Sequence, residues 1–222
     1  MSEGHHQPKT RVIIVEDHPL FRERLAMLIN KEPDMEVCGE CDNIQQAMEM
    51  IQSMRPDAAI LDITLKGSSG LELLKELKAQ SIALPVLVLS MHDESLYAER
   101  AIRAGGMGYI TKDEASEKVM QAIRKVVDGE IYLSDHMTAR FLKSLKGGGG
   151  SLNRSAIDSI TDRELEVFQL IGKGKTSREI AKTLNLGLTT IDTYRARIKE
   201  KLNLKNATEL MCEAAKWAKN QE

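Results

Sequence analysis

"RVIIVEDHPLFRERL", Arg11 to Leu25, decides how the first half of this chain folds. Four apolar residues, Val12 to Val15, run without a break into Glu16 and Asp17, and Pro19 then opens a new segment. An apolar run this short, with no polar alternation, reads as a strand buried on both faces, which is the habit of parallel sheets. Carboxylates at the end of such a strand cost free energy to bury unless an opposite charge joins them. Glu16 and Asp17 therefore ask for a partner.

The same grammar repeats downstream. Further strand runs lie around Val37, at Ala58–Leu61, at Val86–Leu89 and near Tyr109–Ile110. Between them, apolar residues recur at helical spacing: Leu20, Ala26 or Met27, and Ile29; Ile44, Ala47, Met48 and Ile51; Leu71, Leu74 and Leu77; Leu96, Ala98, Ala101 and Ile102; Val119, Ala122, Ile123 and Val126. Five strands alternating with five helices predict an α/β doubly wound, five-stranded parallel sheet with helices on both faces. We assign it to residues 10–132. Residues 133–155 read as a linker, made of one helical stretch ("SDHMTARFLKSLK") and a flexible hinge at Gly147–Ser151, "GGGGS".

Residues 156–222 are helical throughout, and an all-α four-helix domain is expected there. Thr161 followed by Glu164 spells a capping box at the first helix. "TSREIAKTLNL", "LTTIDTYRARIKEKLNL" and "NATELMCEAAKWAKNQ" give the other three. The middle pair fits a helix–turn–helix. Ile180, Ala181 and Leu184 form the inner face of its first helix, "NLG" ending in Gly187 forms the turn, and Ile191, Tyr194, Ile198 and Leu202 face inward from the second. Thr189, Thr190, Asp192, Thr193, Ala196 and Arg197 then line or flank the outward face. Thr and Ala can touch a thymine methyl, and Arg can grip guanine or phosphate. Lys199 and Lys201, with Lys175 and Ser177 at the start of the preceding helix, suit phosphate contacts.

The composition, 42% hydrophobic and 29% charged, is that of an ordinary globular chain. Charge is uneven: residues 1–155 hold 19 Lys+Arg against 23 Asp+Glu, and residues 156–222 hold 12 against 10. Arg195, Arg197, Lys199, Lys201 and Lys205 concentrate the excess beside one acid, Glu200. No apolar run approaches the roughly 20 residues of a membrane span, and "MSEGHHQPKT" has no apolar signal region, so a cytoplasmic location without membrane partners is expected. Three motifs are decoys. "CGEC" (Cys38, Cys41) has no second pair to complete a zinc site. "GKGKTS" lacks the earlier glycine of a phosphate loop, because Gln169 stands there. His5, His6, His18, His92 and His136 show no metal-ligand spacing.

In an open parallel sheet, functional groups gather at the carboxyl ends of the strands. There the sequence puts Glu16 and Asp17, Asp62, Ser90 and Lys112. Three clustered acids repel one another unless a cation sits among them, and Mg2+ is the natural choice for carboxylate oxygen. A carboxylate beside that ion can act as a nucleophile toward phosphorus, with Lys112 neutralising charge on the transferred oxygens. Asp62 is assigned as the nucleophile, Asp17 as a direct ligand, Glu16 as a ligand directly or through water, and the Thr64 carbonyl as a further ligand. Ser90 is placed to donate to the product.

Residues 10 to about 130 resemble the receiver domain of bacterial two-component response regulators. "VEDHPLFR", "DAAILDITL", "LVLSMHD" and "GYITK" match that family's motifs in order and spacing. Residues 158–212 resemble the LuxR-type helix–turn–helix of the NarL/FixJ response regulators, through "ITDRELEV", "GKTSREIAKTL" and "TTIDTYRARIKEKL". The resemblance implies a CheY-like, flavodoxin-like receiver, phosphorylation of Asp62 by a cognate sensor histidine kinase, and switch roles for Ser90 and Tyr109, the ring following the hydroxyl inward. It implies a homodimer on double-stranded DNA after phosphorylation, with Leu210, Met211, Ala214 and Trp217 as dimer candidates or else as closers of the helical core. RNA polymerase is a further candidate partner. The chain departs from the family at Lys66, where Pro is usual, at Asp192, where a basic residue is common, and at Tyr194, where His is common.

Two other functions compete. Phosphatases of the haloacid dehalogenase type also use an Asp nucleophile after a strand, but they need a second Asp two residues on, where this chain has Thr64. A constitutive DNA-binding protein, with its receiver serving only as a dimerisation scaffold, predicts DNA binding indifferent to Asp62→Asn.

Overall fold

The fold follows from strands built on buried apolar runs, Val12–Val15, Ala58–Leu61 and Val86–Leu89. In the computed structural model, which describes residues 8–65, 68–91, 94–146, 157 and 159–219, the chain divides into two compact units, residues 1–139 and 140–222. Lys66, Gly67, His5, His6, His92 and the Gly147–Ser151 hinge lie outside the described residues.

The first unit is built on β1 (Thr10–Val15), β2 (Met35–Cys41), β3 (Ala58–Asp62), β6 (Val86–Ser90) and β7 (Gly108–Thr111), with two-residue strands β4 (Thr64–Leu65) and β5 (Ser68–Ser69) forming a small antiparallel hairpin after β3. The five long strands are parallel and run in the order β2-β1-β3-β6-β7. Helices α1 (Pro19–Asn30), α2 (Ile44–Met54), α3 (Leu71–Ala79), α4 (Glu94–Ala104) and α5 (Ala115–Val127) connect them. Val12, Ile14, Ile60, Leu87 and Leu89 share one core with Leu25, Ala26 and Ile29 of α1 and Val119, Ala122, Ile123 and Val126 of α5. Ile13 points to the other face, where a Cβ on Gly39 would stand 3.2 Å from the sulfurs of Met50 and Met54 of α2 and 3.5 Å from Ile13. All five expected strands and all five expected helices are present. Within α1 the buried stripe is Leu25, Ala26 and Ile29, while Leu20 and Met27 are exposed. Those two stand seven residues apart on one outward line, a period that apolar spacing alone does not orient.

Cys38 is the extra residue of a bulge, because Val12 pairs with Val37 and Ile13 with Gly39. Both thiols of the C-x-x-C are free, and burial pushes the Cys41 thiol up to about 11. A thiol held that far from ionisation is inert, which agrees with reading the motif as structural.

Gly70 fixes the loop after β3. A Cβ there would lie 2.0 Å from the Asp62 carbonyl oxygen, and the Gly70 N–H donates to the Ile63 carbonyl at 2.7 Å. Gly70→Ala is therefore expected to destabilise the first unit by at least about 2 kcal/mol, since backbone must move to admit the methyl. Chemical unfolding measures this, and a midpoint equal to wild type would contradict it.

Helix α6 (Asp135–Lys146) opens on Ser134, whose Oγ accepts from the Met137 N–H at 3.2 Å. The C-terminal unit holds α7 (Asp162–Gly172), α8 (Ser177–Thr183), α9 (Leu188–Lys201) and α10 (Ala207–Lys219). The Thr161–Glu164 capping box forms as expected, and a second one, Thr176–Glu179, starts α8. Leu165, Phe168, Ile171, Ile180, Ile191, Ile198, Leu210 and Ala214 are buried.

Candidate functional site

The carboxyl edge of the sheet gathers the residues singled out above. β1 ends at Val15 and delivers Glu16 and Asp17; β3 ends on Asp62; β6 ends on Ser90; β7 ends at Thr111 and delivers Lys112. Backbone bonds hold these ends in register: Glu16 N–H to the Cys41 carbonyl at 3.0 Å, Ile63 N–H to Leu89 at 3.2 Å, and Lys112 N–H to Ser90 at 2.8 Å. Glu16, Asp17, Asp62, Ser90, Tyr109 and Lys112 are all buried.

Lys112 Nζ lies 2.8 Å from Asp62 Oδ2 and 2.5 Å from Glu16 Oε2, over the ring of Phe21 at 4.7 Å. The Thr64 N–H donates to Asp62 Oδ1 at 3.0 Å. Burial pushes the Asp62 carboxyl up to about 6, the charge of Glu16 adds to the rise, and Lys112 opposes it. For Lys112, burial works against the ammonium, but the two carboxylates outweigh it and leave the group above its ordinary value.

Three carboxylates face one ammonium, so two negative charges remain, the charge of one divalent cation. Glu16 Oε2 and Asp17 Oδ1 are buried and accept no properly angled hydrogen bond; the Lys112 ammonium stands close to the first and the His18 ring to the second. Ligand atoms of Glu16, Asp17, His18 and Asp62 all lie within 4.8 Å of one another. A hard cation with oxygen ligands fits this donor set. Thr64 meets Asp62 through its N–H. Ser90 ends β6 in a buried position, and Tyr109 within β7 is buried as well.

His18 has no metal-ligand spacing in the sequence and its side chain is two-thirds exposed, while its Nδ1 lies 2.9 Å from Asp17 Oδ1 and 3.0 Å from Glu16 Oε1. Its position next to two acids was the available signal. Phe21 is the other residue the sequence did not reveal; it sits one turn into α1, on the side that meets β7's lysine.

In the C-terminal unit, α8 and α9 form the expected helix–turn–helix. The turn's left-handed residue is Asn185, at φ 51°, whereas Gly187 is extended and caps α9 at φ −72°. Asn accepts that conformation more readily than most side chains, so the glycine is not what bends the chain. Thr189, Thr190, Asp192, Thr193, Ala196 and Arg197 are exposed; Tyr194, Lys199 and Ser177 are half-buried; Lys175 is exposed. The Thr193 hydroxyl donates back to the Thr189 carbonyl at 2.8 Å.

Lys201 departs from the expected phosphate role. Its ammonium lies 2.7 Å from Glu164 Oε2, tying α9 to α7. Burial pushes Glu164 up, but Lys201 and the Thr161 bonds pull harder and hold it below the usual carboxylate range. A depressed carboxyl contributes stability above its unfolded pKa and loses it as pH falls through the folded value. Lys201→Ala is expected to cost about 1–3 kcal/mol at pH 7, with the gap to wild type narrowing at an acid pH below the usual carboxylate range, where the folded Glu164 takes a proton. Thermal unfolding at both pH values checks this; an equal gap at both would contradict it.

Two of the four dimer candidates are spent within their own domain. Leu210 and Ala214 are fully buried, and a Cβ on Gly172 of α7 would meet the Ala214 carbonyl at 2.5 Å. Trp217 packs on Phe168, ring centres 5.6 Å apart. Met211 is exposed. The apolar spacing of α10 serves the core because the helix must close over α7.

The sequence profile of the family described as "Response regulator receiver domain" matches residues 12–124, and that described as "Bacterial regulatory proteins, luxR family" matches residues 158–214. The transcriptional regulatory protein DesR of Bacillus subtilis is 35% identical over 199 residues, covering 89% of this chain and 92% of DesR. The nitrate/nitrite response regulator protein NarL of Escherichia coli is 29% identical over 211 residues, 95% of each chain. A crystal structure of a LuxR-family two-component response regulator from Aurantimonas sp. superposes with a TM-score of 0.57 at 28% identity, covering 63% of this chain and 99% of that one.

Proposed function

The chain belongs to the two-component response regulators that join a receiver domain to a LuxR-type DNA-binding domain, and on that premise we propose that phosphoryl transfer to Asp62 controls how α9 reads DNA. The observation that carries this reading is the carboxyl edge itself: three buried carboxylates and one ammonium, with Asp62 held from both sides by Lys112 and the Thr64 N–H. No helix among the described residues is long and apolar enough to cross a membrane, and we place the protein in the cytoplasm.

In this mechanism Glu16, Asp17, Asp62 and the Thr64 carbonyl would hold Mg2+. When bound, the ion supplies positive charge beside the oxygens of the incoming phosphoryl group. An Asp62 oxygen attacks phosphorus, the bond from phosphorus to the phosphohistidine nitrogen of a sensor histidine kinase breaks, and its electron pair leaves with the imidazole. Lys112 exchanges its contact with the carboxylate for one with the phosphoryl oxygens. The Ser90 hydroxyl donates to the same group, and the inward Tyr109 ring fills the space behind it. The receiver state with these contacts is favoured by their differential free energy.

We take residues 10–132 as the receiver, 133–155 as the linker and 156–222 as the DNA-binding domain. Phosphorylation favours a homodimer on double-stranded DNA, with Thr189, Thr190, Thr193, Ala196 and Arg197 toward the bases and Lys175, Ser177 and Lys199 toward phosphates. Of the four dimer candidates on α10, Met211 is the exposed one and is offered to a partner copy. RNA polymerase is a candidate partner at the promoter. Selection from a randomised duplex pool with phosphodonor-treated protein tests this reading. The expected sites carry two related half-sites about 10 bp apart, one helical turn. Enriched single sites would contradict the dimer, and no enrichment would contradict DNA reading.

A further inference from the structure

We propose that His18 is a metal donor: it gives the cluster of Glu16, Asp17 and Asp62 a nitrogen ligand, so that this site prefers borderline divalent transition ions over Mg2+. The inference rests on reading the acidic edge as a metal site.

The geometry comes first. The His18 Nδ1 lies 2.9 Å from Asp17 Oδ1 and 3.0 Å from Glu16 Oε1. Adjacent ligands on an octahedral ion with bonds of about 2.1 Å stand about 3 Å apart. Nδ1 therefore already stands at neighbour-ligand spacing from each of the two oxygens. Asp62 offers a fourth atom within the same 4.8 Å cluster. Glu16 Oε2 and Asp17 Oδ1, both buried, still lack a hydrogen bond.

The backbone keeps the imidazole there. His18 N–H donates to Glu16 Oε1 at 2.9 Å, and Pro19 at the first position of α1 biases residue 18 to the extended conformation it shows, φ −89° and ψ 105°. Two-thirds of the side chain is exposed, so an ion can arrive from solvent without disturbing the core.

The chemistry then sets the preference. Mg2+ takes oxygen ligands and gains little from imidazole. Affinity for a mixed nitrogen and oxygen site rises from Mn2+ through Fe2+ and Co2+ to Ni2+ and Cu2+. The bland alternative is a ring that serves only as a counter-charge to the two acids. It predicts that removing the ring leaves transition-metal binding unchanged or strengthens binding of every cation.

The test uses the full chain carrying His5→Ala and His6→Ala, which removes an adjacent histidine pair able to capture transition metals. Mg2+ and Co2+ are titrated by calorimetry, and the visible absorption of the Co2+ complex is recorded. The comparison variant is His18→Asn, which keeps a capping oxygen but no imidazole. Co2+ is expected to bind more tightly than Mg2+. In His18→Asn, Co2+ affinity is expected to fall roughly tenfold or more, as loss of a metal-site partner commonly costs, with a changed spectrum and nearly constant Mg2+ affinity. An unchanged Co2+ affinity and spectrum would overturn the proposal, as would an equal loss for both ions, which marks a structural role. If neither ion binds the parent chain, the acidic edge is not a metal site and the reading beneath this one fails too.

Discussion

Asp62→Asn takes up no phosphoryl group. Intact-protein mass after incubation with Mg2+ and a small-molecule phosphodonor should show one added phosphoryl group on the wild type and none on the variant. The expectation is all-or-none because an amide oxygen lacks the charge and nucleophilicity of a carboxylate toward phosphorus. The variant should also keep its fold. Asn preserves the shape of a side chain that is 2% exposed, and its single oxygen keeps one of the two contacts that Oδ1 and Oδ2 accept, from the Thr64 N–H or from Lys112. Removing one of three clustered carboxylates relieves the repulsion that raises Asp62. A variant that gains the same mass would move the phosphoacceptor to another residue.

Arg197→Ala is expected to weaken binding to selected duplex by about 1–3 kcal/mol, roughly 5- to 150-fold, the cost of losing a base-reading arginine. Thr189, Thr193, Ala196 and Arg197 follow one exposed line along α9, while Ile191 and Ile198 anchor the opposite face. The arginine is thus presented outward from a helix whose position the core fixes. Lys201→Ala should behave differently, because its ammonium is held by Glu164: it should cost stability and leave DNA affinity nearly constant. Fluorescence anisotropy with one labelled duplex compares both variants. Wild-type affinity in Arg197→Ala would show that α9 does not read the DNA through this face.

Much of this was legible in the sequence, for identifiable reasons. Continuous apolar runs such as Val12–Val15 allow one secondary structure and one environment. The rule that groups collect at strand ends then brings Glu16, Asp17, Asp62, Ser90 and Lys112 together from positions far apart in the chain. Sequence spacing was weaker where several faces compete. Leu20 and Met27 share helical spacing with core residues yet lie outside. Leu210 and Ala214 face their own core, because α10 closes over Gly172, a contact between segments remote in sequence. The closeness of His18 to the two acids was not legible for a related reason: a single histidine has no spacing to read. The turn falls within "NLG", and the residue that bends it is Asn185.

The central claim is that phosphoryl transfer at Asp62 governs DNA binding. Its most direct test is a titration of one selected duplex with wild type and Asp62→Asn, each before and after treatment with phosphodonor and Mg2+. The expected result is a tightening of wild-type binding on treatment and no change in the variant. Equal tightening in both, or an untreated variant that binds as tightly as phosphorylated wild type, would contradict the account and favour a receiver that serves only as a dimerisation scaffold.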